Sequence, residues 1–380
     1  MLTLPFVTEV KILKNIPITK PSITLLEKKY CADAIENGWG SNCYDYILKF
    51  EKQFSEFCGS RFSIATSSCT GALFLALSSI GLGADDEVIL CDINWIATVS
   101  PVVHLGAKPV FVDMLPDSWC ISPKGVKEAI TTKTKVIIAT HLYGNICELE
   151  ELRAIADENN LFLIEDAAEA FGSKLNGKQV GVYGDIGVFS FHGTKTISTG
   201  EGGMLITNNE QIYEKAVMLN NHGRAAGEQK QFWSEAVGYK FKMSNVQAAM
   251  GLAQLERAKE LIQRKRDIFL YYQKKLDSFD DLQMNIERRG SVNSFWMPTV
   301  VWNKNLKICR KDVLENFRCE NIDARVFFWP LSSMPMFMNK PDNWNAYCIS
   351  ERGINLPSYY DMTENELDKV IRVLLHSLRL

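Results

Sequence analysis

One lysine stands in the run Phe189-Ser190-Phe191-His192-Gly193-Thr194-Lys195-Thr196, and Gly200-Glu201-Gly202-Gly203 follows close behind it. Upstream, Ile164-Glu165-Asp166-Ala167-Ala168-Glu169 carries a carboxylate where an apolar run, residues 161–164, ends. That apolar run predicts a buried strand, so Asp166 is expected at its carboxyl end. Open α/β sheets bind their ligands at the carboxyl ends of their strands. The two segments therefore predict an α/β fold with a ligand site between them.

Lys195 and Asp166 are the residue types that a pyridoxal-phosphate (PLP) site requires. A Schiff-base lysine needs its amine close to the cofactor aldehyde, and the pyridine nitrogen needs a carboxylate that keeps it protonated. Taken singly, the two residues are more simply read as a surface lysine and a solvated helix-capping aspartate. Together, with the glycine turn behind the lysine, they predict this cofactor.

Length and composition describe a protein with one large and one small domain. The chain has 380 residues, of which 46% are hydrophobic, as is ordinary for a soluble protein with a core. The formal net charge of -3 does not indicate binding to nucleic acid or to an anionic membrane. Residues 1–9 lack a basic leader and no apolar stretch reaches membrane-spanning length, so neither a secretory signal nor a membrane segment is expected.

The ten cysteines are scattered and contain no Cys-x-x-Cys pair. This spacing argues against zinc and favours reduced thiols, as in the cytoplasm. The five histidines show no metal-ligand spacing either, so no metal site is expected.

Short β-branched runs alternate with helical patterns from residue 61 to 207, which predicts a mostly parallel, seven-stranded sheet flanked by helices. With an N-terminal arm this makes a large PLP-binding domain, residues 1–260, and a small C-terminal α+β domain follows at residues 261–380. A long helical stretch, residues 243–276, joins them and is expected to break near Gln263. Disorder is expected in residues 1–12, and a mobile loop in residues 223–233.

The expected strands of the large sheet are residues 61–66, 87–91, 109–113, 135–141, 161–165, 186–191 and 204–207, with helices at residues 70–80, 96–104, 123–130 and 149–158. In the small domain we expect strands near residues 294–302 and 324–328. A terminal helix is expected to run from Thr363, its N-cap, to Leu378.

A phosphate cup is predicted at Ser67-Ser68-Cys69-Thr70-Gly71, directly after a strand and at the head of a helix. Backbone amides and the helix dipole favour an anion there. The amides of Cys69 and Thr70, the Thr70 hydroxyl and Ser190 are the candidate phosphate ligands. An ordinary Ser/Thr helix cap is the alternative.

Two further residues are candidates for the cofactor ring. Trp95 follows another strand, where its face would stack on the pyridine ring and add about 1 kcal/mol. A core tryptophan is the equally simple alternative. Glu169 follows Asp166 by three residues and would meet the phenolic oxygen of the ring, unless it is a solvated first-turn glutamate.

The segment Gly172-Ser173-Lys174-Leu175-Asn176-Gly177-Lys178-Gln179 is similar to a P-loop, but Gln179 stands where the Ser/Thr that binds magnesium would be. A hairpin turn explains its glycines better. A Rossmann Gly-x-Gly-x-x-Gly is missing, so a nucleotide would belong to the substrate and not to a hydride cofactor.

With these motifs the chain resembles the DegT-type sugar aminotransferase family, PLP-dependent transferases of fold type I. The resemblance covers nearly the whole chain, from residues 20–21 to residues 353–358. It implies cofactor contacts from the residues already singled out, namely Lys195, Asp166, Glu169, Trp95, Ser190, Cys69 and Thr70. Members with histidine at the lysine position act as dehydratases, so Lys195 implies transamination.

The chain departs from the family in two places. Cys69 replaces a frequent glycine, which is harmless if only its amide is used. Lys240 and Lys242 stand where the family often has Asn and Arg. Because that Asn reaches the cofactor phosphate of the neighbouring subunit, the resemblance implies a homodimer with active sites at the subunit interface. Lys240 would supply a charge-assisted contact in its place.

Residues 192–196, 221–224 and 325–331 are most similar to GDP-perosamine synthases and related 4-amino-4,6-dideoxyhexose transaminases. The similarity implies ping-pong transfer of an amino group from L-glutamate to C4 of a nucleotide-linked 4-keto-6-deoxyhexose. His192, Arg224 and Arg325 are candidates for binding the sugar, its phosphates or the donor carboxylates. A scaffold histidine and surface salt bridges are the alternatives for these three.

Several functions share these motifs. Amination at C3 of the sugar, or of a non-sugar ketone such as a cyclitol, requires the same residues. A dehydratase is disfavoured by Lys195, and a regulatory protein that keeps the fold without catalysis is disfavoured by the intact Lys195 and Asp166. The sequence leaves open whether the nucleotide is GDP, dTDP or UDP, and which stereochemistry the new amine takes.

Overall fold

Seven of the strands in residues 62–207 form one sheet with helices on both faces, and two short strands of this region, residues 174–175 and 178–179, belong to a separate three-stranded sheet. The structure is a computed structural model that describes residues 15–380; the expectations for residues 1–12 lie outside the described residues. The strands of this region are β1 (Phe62–Thr66), β2 (Glu87–Cys91), β3 (Lys108–Val112), β4 (Thr134–Thr140), β5 (Phe162–Asp166), β6 (Lys174–Leu175), β7 (Lys178–Gln179), β8 (Ile186–Ser190) and β9 (Gly203–Thr207). The helices up to this point are α1 (Leu25–Asn37), α2 (Asp45–Cys58), α3 (Cys69–Ser79), α4 (Ser100–His104), α5 (Pro123–Ala129), α6 (Leu149–Glu158) and α7 (Glu210–Asn220).

The large sheet has the strand order β1-β9-β8-β5-β4-β2-β3. Strand β9 is antiparallel to both of its neighbours, and the other pairs are parallel. The predicted mostly parallel, seven-stranded sheet is therefore confirmed, and each predicted strand lies within one residue of the observed bounds. Six strands consequently end at the same edge.

The strands of this sheet are mostly apolar because both faces are covered, although β5 ends in Glu165 and Asp166. In β2, Ile89 joins a cluster on one face, whereas Val88 and Leu90 join a cluster on the other, and all three side chains are fully buried. A parallel sheet covered on both faces gives continuous hydrophobic runs of this kind in the sequence.

Residues 245–380 add α8 (Asn245–Glu256), α9 (Ala258–Leu276), α10 (Arg310–Cys319), α11 (Trp344–Ser350) and α12 (Glu364–Leu378). They also add β10 (Leu282–Met284), β11 (Ser291–Val292), β12 (Thr299–Trp302), β13 (Arg325–Val326) and β14 (Gly353–Asn355). A second sheet of order β10-β12-β14-β13 carries a core of its own. The division at residue 260 falls inside α9, and the domain bounds 1–260 and 261–380 stay a prediction.

The terminal helix begins where the sequence predicts. The hydroxyl of Thr363 accepts from the amide of Glu366, and the Glu366 carboxylate accepts from the amide of Thr363. This reciprocal capping box satisfies two amides that the first helical turn leaves without partners.

The predicted helix break near Gln263 is wrong, because the break is at Arg257. There the backbone leaves helical geometry, and the guanidinium binds Glu27, 2.7 Å away, and the hydroxyl of Ser22. Gln263 and the basic residues after it lie inside α9. One of them, Arg264, donates from its side chain to the carbonyl of Tyr360.

Two other bounds need correction. The strand expected from residue 294 begins only at Thr299, because Phe295 adopts a left-handed backbone with φ 50° and Pro298 lacks an amide donor. The helix expected at residues 96–104 is a 3-10 turn at Ile96–Thr98 followed by α4.

The P-loop-like segment is a β-hairpin, as predicted. Strands β6 and β7 pair antiparallel, and the turn residues Asn176 and Gly177 both have positive φ, 48° and 81°. Two-residue hairpins with this geometry favour Asn-Gly. The segment at residues 223–233 lies in the irregular connection between α7 and α8, and its mobility stays a prediction.

Glu51 on α2 gives the fold a testable pH dependence. Burial raises the pKa of its carboxyl to about 7, and the amide of Ala65 donates to it at 2.8 Å. A carboxyl whose pKa is higher in the folded state costs stability as pH rises above its unfolded value, with the full cost above pH 7. We expect Glu51→Gln to be about 3 kcal/mol more stable than the wild type at pH 8 and equally stable at pH 4.

Denaturant unfolding at the two pH values measures this difference. Glu56→Gln, an exposed change on the same helix, is the matched control and should alter neither value. Equal stabilisation by Glu51→Gln at pH 4 and pH 8 would contradict the assignment.

Candidate active site

The predicted cofactor residues gather at the carboxyl edge of the large sheet. Asp166 is the last residue of β5 and Ser190 the last of β8, whereas Cys69 opens the helix after β1 and Trp95 follows β2. Ligands of open α/β sheets bind at this edge. The parallel sheet thus brings together residues that are far apart in the sequence.

Asp166 is a buried carboxylate with neutral hydrogen-bond donors. The hydroxyl of Thr98 donates to it at 2.6 Å and the amide of Ala168 at 3.2 Å. Burial raises the pKa of the Asp166 carboxyl, although these two donors and the positive charge of Lys195 pull it down. A buried carboxylate in such surroundings suits a cationic ligand group such as a pyridinium nitrogen.

The buried side-chain amide of Asn94 links Asp166, through Thr98, to the backbone at Trp95. Asn94 donates at 2.8 Å to the hydroxyls of both Thr98 and Thr140, and its carbonyl oxygen accepts from the amide of Trp95. The Trp95 side chain is 58% exposed, which rules out the alternative of a core tryptophan. The network therefore fixes the start of this turn relative to the carboxylate while the indole stays open to a ligand.

The Lys195 amine lies between a carboxylate and an aromatic face. Its Nζ is 3.6 Å from the carboxylate of Glu169 and 3.7 Å from the ring centroid of Trp296. The indole NH of Trp296 donates to the carbonyl of Thr194, so the ring is held by the lysine's own loop. Both neighbours attract a cation.

Glu169 is held by an unusual backbone turn. Tyr143 has a left-handed backbone, φ 54°, and its amide donates to the Glu169 carboxylate at 2.8 Å. Burial raises the pKa of Glu169, and the charge of Lys195 opposes that rise. Non-glycine residues with positive φ cluster at functional sites. Only 5% of Glu169 is exposed, so it is not the solvated glutamate of the alternative reading, and its contact with the cofactor stays a prediction.

The head of α3 offers an anion site, and its N-cap is Ser68. The hydroxyl of Ser68 accepts from the amide of Gly71. The amides of Cys69 and Thr70 lie in the first turn of the helix, where backbone amides have no acceptor within the helix. Gly203, paired with Ser190 in the sheet, lets α3 approach, because a Cβ there would lie 2.6 Å from the nitrogen of Cys69.

The candidate phosphate ligands also lie near the charged residues. Burial raises the pKa of the Cys69 thiol well above its usual range, and the charges of Asp166 and Lys195 act on it as well. The residues present thus fit the cofactor predicted from the sequence: a lysine amine, a buried carboxylate and open amides at a helix start.

The other predicted site residues are not joined to this cluster. His192 bonds the hydroxyl of Thr194 at 2.9 Å within its own loop. Lys240 is exposed, Arg224 is half-buried in the connection after α7, and Arg325 is exposed on β13. The amide of Lys195 donates to the carbonyl of His192 at 2.9 Å, but within residues 15–380 no side-chain hydrogen bond or ion pair links any of the four to Lys195, Asp166 or Glu169, so their roles stay predictions.

Sequence reasoning missed four residues of the cluster: Asn94, Thr98, Tyr143 and Trp296. Asn94 and Thr98 flank Trp95 at a strand end, and their i, i+4 spacing was the available signal. Trp296 comes from a segment about a hundred residues away, for which no sequence pattern points to the lysine.

Neither a metal centre nor a membrane span occurs in the part of the chain that the structure describes. No three His, Cys, Asp or Glu side chains there are placed to hold a metal ion. Among residues 15–380, no helix combines the length and the apolar character needed to cross a membrane.

Comparison with known proteins assigns the family. The DegT/DnrJ/EryC1/StrS aminotransferase family matches residues 21–375. The chain belongs to this family. It is 38% identical over 360 residues to the GDP-perosamine synthase of Vibrio cholerae, which is 93% of this chain and 97% of the relative. It is 35% identical to the GDP-perosamine synthase of Caulobacter vibrioides, over 95% of this chain and 98% of that one.

A solved structure agrees with the cofactor. The PLP form of the Streptococcus pneumoniae protein Spr1654 has a TM-score of 0.89 at 25% identity, and the match covers 96% of this chain and 99% of that one. The fold type I architecture, the PLP cofactor and the sugar aminotransferase class predicted from the sequence are therefore confirmed.

Thr98 provides a test of how the site holds its cofactor. Thr98→Val removes the hydroxyl donor, which should raise the pKa of Asp166 further and neutralise the carboxylate at a higher pH. Because a neutral partner cannot hold a pyridinium, we expect PLP to be lost on dialysis at a pH about one unit higher than in the wild type. The visible absorption that remains after dialysis at each pH is the measurement.

Ser100→Ala is the matched control, since its hydroxyl donates to the carbonyl of Ile96 and not to Asp166. The control should retain the cofactor as the wild type does. Unchanged retention in Thr98→Val across the pH range would show that this hydroxyl does not support the carboxylate.

Proposed function

We propose that the protein transfers an amino group from L-glutamate to C4 of a GDP-linked 4-keto-6-deoxyhexose, as a GDP-perosamine synthase. The observation that carries this proposal is the Lys195 amine beside Glu169 in one cluster with the buried Asp166. The near full-length similarity to relatives named GDP-perosamine synthase supports the choice of substrate.

Each residue of the cluster has a proposed task. PLP, when bound, acts as an electron sink for the α-carbon of the donor. Asp166 balances the positive charge of the ring nitrogen, and Glu169 lies beside the phenolic oxygen. The Lys195 amine would hold the cofactor and, once free, would take up and return the proton of the donor α-carbon.

The remaining contacts fix the cofactor and the substrates. Trp95 stacks on the ring, and the phosphate is held by the Cys69 and Thr70 amides, the Thr70 hydroxyl and Ser190. The sugar, its diphosphate and the glutamate carboxylates are assigned to His192, Arg224 and Arg325. Since one site serves both half-reactions, 2-oxoglutarate leaves before the ketosugar enters, and the kinetics are ping-pong.

Lys195→Ala tests the proposed reaction. The variant should bind pyridoxamine phosphate but lose at least about a thousandfold in turnover, because it lacks the amine beside Glu169 that moves the proton. Lys178→Ala, an exposed change in the β6–β7 hairpin, is the control that keeps wild-type turnover. The measurement is 2-oxoglutarate released from L-glutamate in the presence of each ketosugar.

The substrate panel separates the alternatives. It contains 4-keto-6-deoxyhexoses linked to GDP, dTDP and UDP, a nucleotide-linked 3-ketosugar and a keto-cyclitol. We expect the GDP-linked 4-ketosugar to give the highest kcat/KM and the product to carry its amine at C4. Faster turnover of the 3-ketosugar would overturn the position, and no turnover with any ketone would overturn the proposed function.

We also propose a cytoplasmic homodimer with active sites at the subunit interface. Several large apolar side chains are exposed on α1, α2 and the turn between them, among them Trp39 and Leu48 at 67% and 61%. Contiguous exposed apolar surface is typical of an interface. Lys240 is exposed beside the edge strand β1, where Thr66 bridges to Lys242. All ten cysteines are free, which favours a reducing compartment.

Mixed dimers test the shared site. Lys240→Ala should weaken PLP binding about tenfold through loss of a charge-assisted contact, and Lys195→Ala should be inactive. In an equal mixture, two-fold symmetry places one intact site in each mixed dimer, so about a quarter of wild-type activity should return at limiting PLP. Activity of the mixture after subunit exchange is measured against each parent.

A mixture of Lys195→Ala with the wild type gives the reference for subunit exchange. If the mixture of Lys240→Ala and Lys195→Ala recovers no activity, the shared site is contradicted. Full activity in a monomer fraction from a sizing column would contradict it as well.

A further inference from the structure

Lys265 on α9 is a buried cation without a carboxylate partner. Only 7% of the residue is exposed, and its amine donates to the carbonyl of Ser358 at 2.6 Å and to the Ser358 hydroxyl at 3.2 Å. Within residues 15–380 it takes part in no ion pair. Because lysines are seldom fully buried unless paired, this exception needs a physical explanation.

Lys265 and Lys195 line the same small cavity. The cavity has a volume of about 20 Å³ and is lined by both Lys195 and Lys265, which is room for one water molecule. The other ionisable groups that line it are Lys20, Arg264, Tyr359 and Tyr360. No carboxylate of the described residues lines it, although Asp361 pairs with Lys20 at 2.7 Å.

These surroundings make Lys265 unlike an ordinary lysine. Burial lowers the pKa of its amine from 10.5 to about 7, and the positive charge of Lys195 contributes in the same direction. Near neutral pH the Lys265 amine therefore changes readily between its protonated and neutral forms, and that balance depends on the charge of Lys195.

The opposite side of Lys195 holds groups that favour a cation. The Glu169 carboxylate lies 3.6 Å away, the Trp296 ring 3.7 Å away, and the charge of Asp166 also acts on the amine. A lysine must be unprotonated to act as a nucleophile or to accept a proton, so these attractions oppose its proposed task. In its neutral form the Lys265 amine, which lines the same cavity, has a free electron pair that can accept a proton.

We propose that Lys265 is a positioning residue of the active site that shares a proton with Lys195 across this cavity. One N–H bond breaks on Lys195 and one forms on Lys265, which leaves the Lys195 amine with a free electron pair. The reverse transfer restores the starting state. This inference rests on the proposed transaminase function, in which Lys195 is released and recaptured in each half-reaction.

The first test follows Lys265 in the protein without cofactor. Carbon-13 at lysine Cε reports each amine by NMR, and the signal absent from Lys265→Met identifies residue 265. We expect its titration midpoint near pH 7 in the wild type, and about one pH unit higher in Lys195→Met, which lacks the neighbouring positive charge. Lys274→Met, an exposed change on the same helix, should leave the midpoint unchanged.

A midpoint near 10.5, or one that Lys195→Met does not move, would overturn the inference. Since this titration requires no turnover, its failure leaves the proposed function standing. Conversely, failure of the substrate panel leaves the charge coupling measurable.

The second test separates proton sharing from a structural anchor in the PLP-loaded enzyme. Lys265→Met should lower kcat at least tenfold with little change in KM, while the melting temperature holds, because an apolar residue in place of a buried cation is often neutral or stabilising. Lys265→Arg keeps the charge and the donors to Ser358 but does not release a proton in this range. It should therefore not restore kcat, and full rescue by arginine would contradict proton sharing.

Discussion

A buried carboxylate at the end of a parallel strand is the constraint on which the site depends. Asp166 is withdrawn from water, and its oxygens accept from Thr98 and Ala168, two neutral donors. Burial favours the neutral carboxyl, and a pyridinium nitrogen favours the carboxylate, so the residue is suited to bind this cation and not an uncharged ring. The Asn94 side chain donates to the hydroxyl of Thr98 and is itself anchored to the hydroxyl of Thr140 in β4, which ties the position of the carboxylate to the sheet edge.

The adjacent carboxylate, Glu165, shows why position in the strand decides the role. It is also fully buried, but it accepts from the amides of Gly181, Tyr183 and Gly184 and contacts His141 at 3.1 Å. Successive side chains of a strand point to opposite faces. The oxygens of Glu165 are thus occupied by amides of the turn before β8, whereas the oxygens of Asp166 can still accept a hydrogen bond from a ligand.

The strands and the residues at their carboxyl ends were predictable because both follow from short-range periodicity. Lys195 and Asp166 could be found for the same reason, since each sits beside an apolar run. Trp296 and Lys265 could not, because they reach Lys195 from segments that only tertiary packing brings near. The helix break at Arg257 was misplaced for a related reason: the ion pair with Glu27 links residues 230 positions apart.

The segment after β13 forms a wall of the site. Its first residues contact Tyr143, and its later residues bind Asp92. Phe328 stacks on Tyr143 at 5.2 Å and lies 6.3 Å from Trp95, while its amide donates to the Tyr143 hydroxyl. Farther along, Asp92 accepts from Ser332 and Asn343.

The Ser332 and Asn343 bonds fasten residues 332–343 to Asp92 after β2, whereas Phe328 is held by Tyr143, a residue of the catalytic cluster. Changes in residues 332–346 can therefore reshape this wall while the lysine and its carboxylates keep their geometry. A family that applies one amino-transfer chemistry to different sugars requires this separation, because the chemistry tolerates little displacement and the substrate pocket must vary.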